Sequence, residues 1–289
     1  MSSLFSEIKR CQHAMADSEK QMKDNNPVDN PTFPDSFRGV QKLIERLTGP
    51  EGCPWDKKQT MDTLIPMLVE ECYELVDAIE SNDVEEITEE IGDVLFHMAF
   101  QMNIGVKNGF FRDKDIFASL TQKYIRRHPH VFGEKQITSM KELTETWEEI
   151  KKNEKEDRNS ALDGIPKSMP SLTHSYSLQR RAAKTGFDWE FEEDVRAKVI
   201  EEFDELANSS TEEERIEEFG DILFTLVNAG RRMGIDPEQS LRYSNRKFEK
   251  RFRAMEKISS SRGSEFNMLT LEEKDSLWEE VKKEHLYEI

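Results

Sequence analysis

Two stretches of this chain carry carboxylates at spacings that can hold a divalent metal ion. In the first, Glu71 and Glu74 stand three positions apart, and Glu90 and Asp93 repeat that spacing shortly after. In the second, Glu202 with Glu205 and Glu218 with Asp221 show the same arrangement. Residues at i and i+3 share a helix face, so two such helices packed side by side would converge four carboxylates on one point. Anions so placed repel one another, and a cation relieves that repulsion. All-oxygen donors suit Mg²⁺ and Mn²⁺ rather than Zn²⁺. For one such stretch alone, the alternative is a solvated acidic face.

The residues after each Asp favour the metal. VLFHMAFQMNIGV after Asp93 and ILFTLVNAG after Asp221 contain no charged residue. Helices of that composition are apolar almost all round and are expected to be buried along much of their length. An ionised Asp at the start of a buried stretch is costly unless paired or metal-bound.

The elements that must position these groups read as helices throughout. Periodicity begins near Phe37 and stops at Gly49-Pro50, and a loop, GPEGCPWDKKQ, comes next. Thr60 reads as the N-cap of a helix through about Glu80, ended by Ser81-Asn82-Asp83. Further helices are expected from about Val84 to Val106, Asp113 to Arg127 (interrupted by His128-Pro129) and Ser139 to Glu154. After a polar segment containing Gly164, Pro166 and Pro170, helices are expected near 171–184, 193–207, 212–233, 237–257 and 271–286. No stretch alternates apolar and polar residues long enough for a strand. The fold class is all-α, with a flexible polar extension over 1–35, a first domain over 36–155, a linker over 156–170 and a second domain over 171–289.

The two halves repeat each other. LVEECYELVDAI (68–79) resembles VIEEFDELANS (199–209), and EEIGDVLFHMAF (89–100) resembles EEFGDILFTLVN (217–228). Lys123 to Arg127 recurs as Lys247 to Arg251, and Trp147 to Lys151 as Trp278 to Lys282. The four offsets lie between 124 and 131 positions, in the same order along the chain, as loop-length changes between equivalent helices would produce. The chain is an internal duplication.

Composition narrows the function further. The 289 residues carry a formal net charge of −18, which argues against a protein that wraps a nucleic-acid polymer. Phosphorylated small molecules remain accessible if metal ions stand between carboxylates and phosphates. Cys11, Cys53 and Cys72 show neither metal-ligand spacing nor an even-numbered framework, pointing to a reducing compartment. With no run of signal-peptide or membrane-span length, a soluble cytoplasmic protein is expected.

The carboxylate motif followed by ExxD on the next helix resembles the signature of all-α nucleoside triphosphate pyrophosphohydrolases. GCPWDKKQT (52–60), EEIGDVLF (89–96) and RRHPHVFG (126–133) resemble the MazG family specifically. GFDWE (186–190), EEFGDILF and NRKFEKRF (245–252) resemble its C-terminal domain. The resemblance implies Mg²⁺-dependent hydrolysis of a nucleoside triphosphate to monophosphate and pyrophosphate, by a homodimer in which partner helices complete each bundle. It makes Glu71, Glu74, Glu90 and Asp93, and likewise Glu202, Glu205, Glu218 and Asp221, the Mg²⁺ ligands, with Mn²⁺ as a substitute. A metal on the triphosphate neutralises charge and eases attack by water. Glu201, or Glu70 in the first copy, could orient or deprotonate that water.

Lys247 and Arg251, one helical turn apart, could grip phosphate oxygens, and Lys123 and Arg127 are their first-copy equivalents. An ordinary cationic helix face is the alternative. Trp278 and Trp147 could stack on a base or pack an amphipathic helix onto the core. Trp55 and Trp189 each follow a Gly by three residues and could line the pocket or plug a bundle end. His97 lies one turn after Asp93 and reads as a core residue, with Thr225 in its place in the second copy. Lys198 precedes Glu202 by one turn where the first copy has Met67, so the second copy is expected to carry most of the activity. A ferritin-like di-iron protein would require Glu-x-x-His, which neither copy supplies. A non-catalytic acidic helical dimer that binds a partner protein remains the other reading.

Overall fold

A computed structural model describes residues 32–154 and 159–284. Its described residues form helices and turns without a strand. The chain divides into two compact units at Lys151/Lys152. The expected extension over 1–35 lies almost wholly outside the described residues.

In the first unit, α1 (Phe37–Leu47) starts at Ser36, whose hydroxyl accepts from the Gly39 amide. It packs on α3, placing Ile44 in a core with Leu64, Ala99, Phe100 and Ile104. Helix α2 (Ile65–Ser81) and helix α3 (Val84–Lys107) form a tight hairpin. Asn82 makes the turn in the left-handed region (φ 58°), a conformation Asn tolerates. Asp83 then caps α3 by accepting from the Glu85 and Glu86 amides at 3.0 and 3.2 Å. Helix α4 (Asp113–Arg127), the single turn α5 (Pro129–Phe132) and α6 (Met140–Asn153) complete the unit.

The fold corrects two expectations. Thr60 does not cap α2: its hydroxyl accepts from Thr63 within a turn, and the helix begins at Ile65. Pro66 explains the difference, since proline fits the first helical turn and not an interior position. Nor is α3 buried all round. His97, Ala99, Phe100, Ile104 and Gly105 face inward, whereas Ile91, Leu95, Met98 and Val106 are exposed. The second copy of this helix likewise exposes Phe219, Leu223, Phe224 and Leu226. Apolar sequence marks a surface that needs covering, and one unit covers only half of it.

In the second unit, Arg181 donates to the carbonyls of Ala161 and Asp163, tying that segment to α7 (Ser171–Ala183). Helices α8 (Glu192–Asn208) and α9 (Glu212–Arg232) repeat the first unit's hairpin. Thr211 and Glu214 form a reciprocal capping box at the start of α9, which satisfies two otherwise orphaned amides. Gln179 fastens α7 to α9 through the Phe224 carbonyl at 2.8 Å. Helix α10 (Pro237–Ser261) pairs with α11 (Leu271–Glu284) around Met255, Leu277 and Val281. At the far end of the α8/α9 hairpin, Asp188 meets both Arg231 and Arg232, and Arg232 also donates to the Trp189 and Glu190 carbonyls. That clamp fixes the loop carrying Trp189.

Candidate metal centres

Helix register brings the predicted carboxylates together in each hairpin. In the first unit, ligand atoms of Glu71, Glu90 and Asp93 lie within 4.8 Å of one another. Glu74 stands outside that trio but is close enough for its charge to raise the pKa of Glu71. In the second unit the trio is Glu202, Glu205 and Glu218, again within 4.8 Å, and Asp221 is close enough to raise the pKa of Glu218. Each centre thus draws three close oxygens, rather than four, from the expected quartet.

The crowding shows in the proton affinities. Burial, joined by the charges of Glu74, Asp93 and Glu90, pushes the Glu71 carboxyl up to about 7. Burial and carboxylate neighbours likewise raise Glu90 and Glu218 above the usual range. One Glu90 oxygen, Oε2, is buried and accepts no hydrogen bond. A divalent cation fits such a donor set: it satisfies the orphaned oxygen and the mutual repulsion together.

The centres differ in what else they contain. Lys198 reaches Glu201 at 2.8 Å and Glu202 at 2.9 Å, and those contacts raise its pKa. Glu202 is only 4% exposed, so this ammonium already compensates part of the second centre's charge. The first unit has Met67 there and instead holds His97, 8% exposed, with Nε2 3.6 Å from Glu71 Oε1. Burial lowers the His97 pKa against the opposing charge of Asp93. Sequence reasoning assigned His97 to the core; its place one turn after Asp93 was the available signal.

Several of the predicted nucleotide-binding groups rest against aromatic rings in each unit. Arg251 lies 5.6 Å over the Trp278 ring, Phe248 packs on the same indole, and Lys247 lies over Tyr243. Among the described residues no ion pair joins Lys247 or Arg251 to the second centre. In the first unit Lys151 covers Trp147 at 4.2 Å, His128 packs beside it, and Lys123 lies over Tyr124. Arg127 closes α4, just before His128.

Comparison with known proteins places this architecture. Residues 59–132 match the MazG nucleotide pyrophosphohydrolase domain, and residues 172–248 match phosphoribosyl-ATP pyrophosphohydrolase. A nucleoside triphosphate pyrophosphohydrolase/pyrophosphatase MazG of Thermotoga maritima is 41% identical over 247 residues, covering 85% of this chain and 95% of that one. The chain belongs to the MazG family. A nucleoside triphosphate pyrophosphohydrolase of Escherichia coli K12 is 39% identical over 252 residues, covering 84% of this MazG chain and 96% of its own length. The uncharacterized protein YabN of Bacillus subtilis is 42% identical over 252 residues, which span 86% of this chain and 52% of YabN. Both matched domains contain the carboxylate hairpin of their unit. Trp147, Arg251 and Trp278 fall outside the matched spans. As a member of this family the chain is a pyrophosphohydrolase with two tandem all-α units, and no described helix is long and apolar enough to cross a membrane.

Proposed function

We propose that the chain hydrolyses nucleoside triphosphates to monophosphate and pyrophosphate with Mg²⁺ held by its carboxylate hairpins, chiefly in the second unit, and acts as a homodimer. The observation that carries this reading is the pair of carboxylate trios, each drawn within 4.8 Å. Glu202, Glu205 and Glu218, with Asp221 beside them, would hold the ion in the second unit. Glu71, Glu90 and Asp93, with Glu74, would do so in the first. When bound, Mg²⁺ supplies charge neutralisation and in-line orientation to phosphoryl transfer.

The chain's own residues then have distinct tasks. Lys198 holds Glu202 in place and presents a cation to the phosphates, a role Met67 cannot fill in the first unit. Glu201, bound to Lys198 and half exposed, orients the attacking water. Lys247 and Arg251 contact phosphate oxygens and Trp278 stacks on the base once the assembly brings them to the centre. Lys123, Arg127 and Trp147 are the first-unit counterparts. The exposed apolar faces of both hairpins support the homodimer, because a second copy is the simplest surface to cover them. Broad cleansing of the nucleotide pool in the cytoplasm is the physiological role this chemistry fits.

The test is pyrophosphate release from a panel of ribo- and deoxynucleoside triphosphates, with Mg²⁺ or EDTA, for wild type, Glu74→Ala and Glu205→Ala. Metal-dependent release that survives Glu74→Ala and is lost in Glu205→Ala is expected. The reverse pattern would transfer the activity to the first unit. Release that ignores EDTA would refute the metal.

A further inference from the structure

The two carboxylate centres have the same ancestry and different company. Along α3, Asp93 and His97 stand at i and i+4, the spacing with which two groups on one helix grip a single ion. His97 is more than nine-tenths buried, its Nδ1 has no hydrogen-bond partner, and its Nε2 is turned toward Glu71 Oε1 at 3.6 Å. Glu90 Oε2, in the same cluster, is also buried without a donor. An apolar core has no need of an imidazole turned toward a carboxylate that itself belongs to a carboxylate trio. The second unit has Thr225 at this position and adds Lys198, which lies 2.9 Å from Glu202.

We propose that His97 is a nitrogen ligand of the first unit's centre, which therefore selects a divalent transition ion of the Mn²⁺ class over Mg²⁺, while the second unit keeps an all-oxygen Mg²⁺ centre. An imidazole donor raises affinity for first-row transition ions far more than for Mg²⁺, which prefers oxygen and retains water. Without a lysine at position 67, the first centre has no resident ammonium to offset its carboxylates. The second centre, part-compensated by Lys198, fills best when nucleotide phosphates add charge of their own. This inference rests on the reading of both hairpins as metal centres, and it assigns them different ions.

The experiment uses the full-length chain with one centre disabled at a time: E205Q/E218Q to leave the first, E90Q/D93N to leave the second. Mn²⁺ binding is followed by loss of the free-ion electron paramagnetic resonance signal, with Mg²⁺ as competitor. The bound ion is then examined by electron spin echo envelope modulation for coupling to an imidazole ¹⁴N. Histidine coupling is expected in E205Q/E218Q and absent in E90Q/D93N. Adding H97Q should abolish the coupling and weaken Mn²⁺ binding by about 10- to 100-fold, the usual scale for a lost partner at a metal site, with a smaller change for Mg²⁺. H97N serves as a second variant, and circular dichroism establishes that each is folded. Mn²⁺ bound by E205Q/E218Q without histidine coupling, or coupling that survives H97Q and H97N, overturns the assignment and leaves the carboxylate centres standing. Failure of both disabled chains to bind Mn²⁺ overturns the metal reading itself.

Discussion

Removing the metal should make the first unit less stable as pH rises, the reverse of the usual carboxylate behaviour. Glu71 titrates near its ordinary value of 4.5 when unfolded and at about 7 in the folded, metal-free protein. Below 4.5 the group is protonated in both states and contributes nothing. Between 4.5 and 7 the folded state keeps a proton that the unfolded state has released, so stability falls with rising pH and stays low above 7. Each pKa unit corresponds to about 1.4 kcal/mol. Its side chain is 21% exposed, and discounting for solvent screening leaves about 1–3 kcal/mol. That loss should lower the melting temperature of EDTA-treated protein by about 5 °C between pH 5 and 7.5. Mg²⁺ competes with the proton, so the stabilisation it confers should grow across the same range. Differential scanning calorimetry of wild type and Glu71→Gln, with and without Mg²⁺, isolates the effect from the rest of the acidic surface. If the EDTA-treated melting temperatures of the two proteins run parallel from pH 5 to 7.5, the crowding argument is wrong.

Three further outcomes are expected. Lys198→Met installs the first unit's residue in the second and leaves the buried Glu202 without its ammonium. It should destabilise metal-free protein by about 1–3 kcal/mol in urea unfolding, with Mg²⁺ recovering part of the loss, and reduce pyrophosphate release. Phe203→Glu and Leu226→Glu place charge on the exposed apolar face of the α8/α9 hairpin. Light scattering should show a shift toward monomer, and an unchanged mass in both would exclude this face as the dimer contact. Gly105→Ala would put a methyl group 2.1 Å from the Phe111 ring, so overpacking should cost about 1–3 kcal/mol, read from the denaturation midpoint.

Much of this architecture was legible in the sequence because duplication supplies an internal control. Carboxylates that recur in both halves, at matching spacings, could be assigned to paired helices from spacing alone, and the hairpins do gather them. The Asn82 turn was legible because few residues tolerate positive φ. The start of α2 was harder to read because Thr60 is a good cap by residue type, while Pro66 is the stronger signal and places the start later. The exposure of Leu95 and Phe224 could not be read, because periodicity reports a face that avoids water without saying which surface covers it. Lys247 and Arg251 were legible as cations one helical turn apart, yet spacing alone does not say that Arg251 rests on the Trp278 indole and Lys247 on Tyr243.

The contrast between Met67 and Lys198 has a consequence for how such a chain can change over time. An assembly of identical single-unit subunits must carry the same residue in every centre, so a substitution that suits one role is imposed on all. Joining two copies in one polypeptide lifts that constraint. One hairpin can acquire a resident ammonium while its sibling keeps an imidazole at the corresponding edge, and neither substitution taxes the other. Two copies in one chain leave each half free of the symmetry that identical subunits impose.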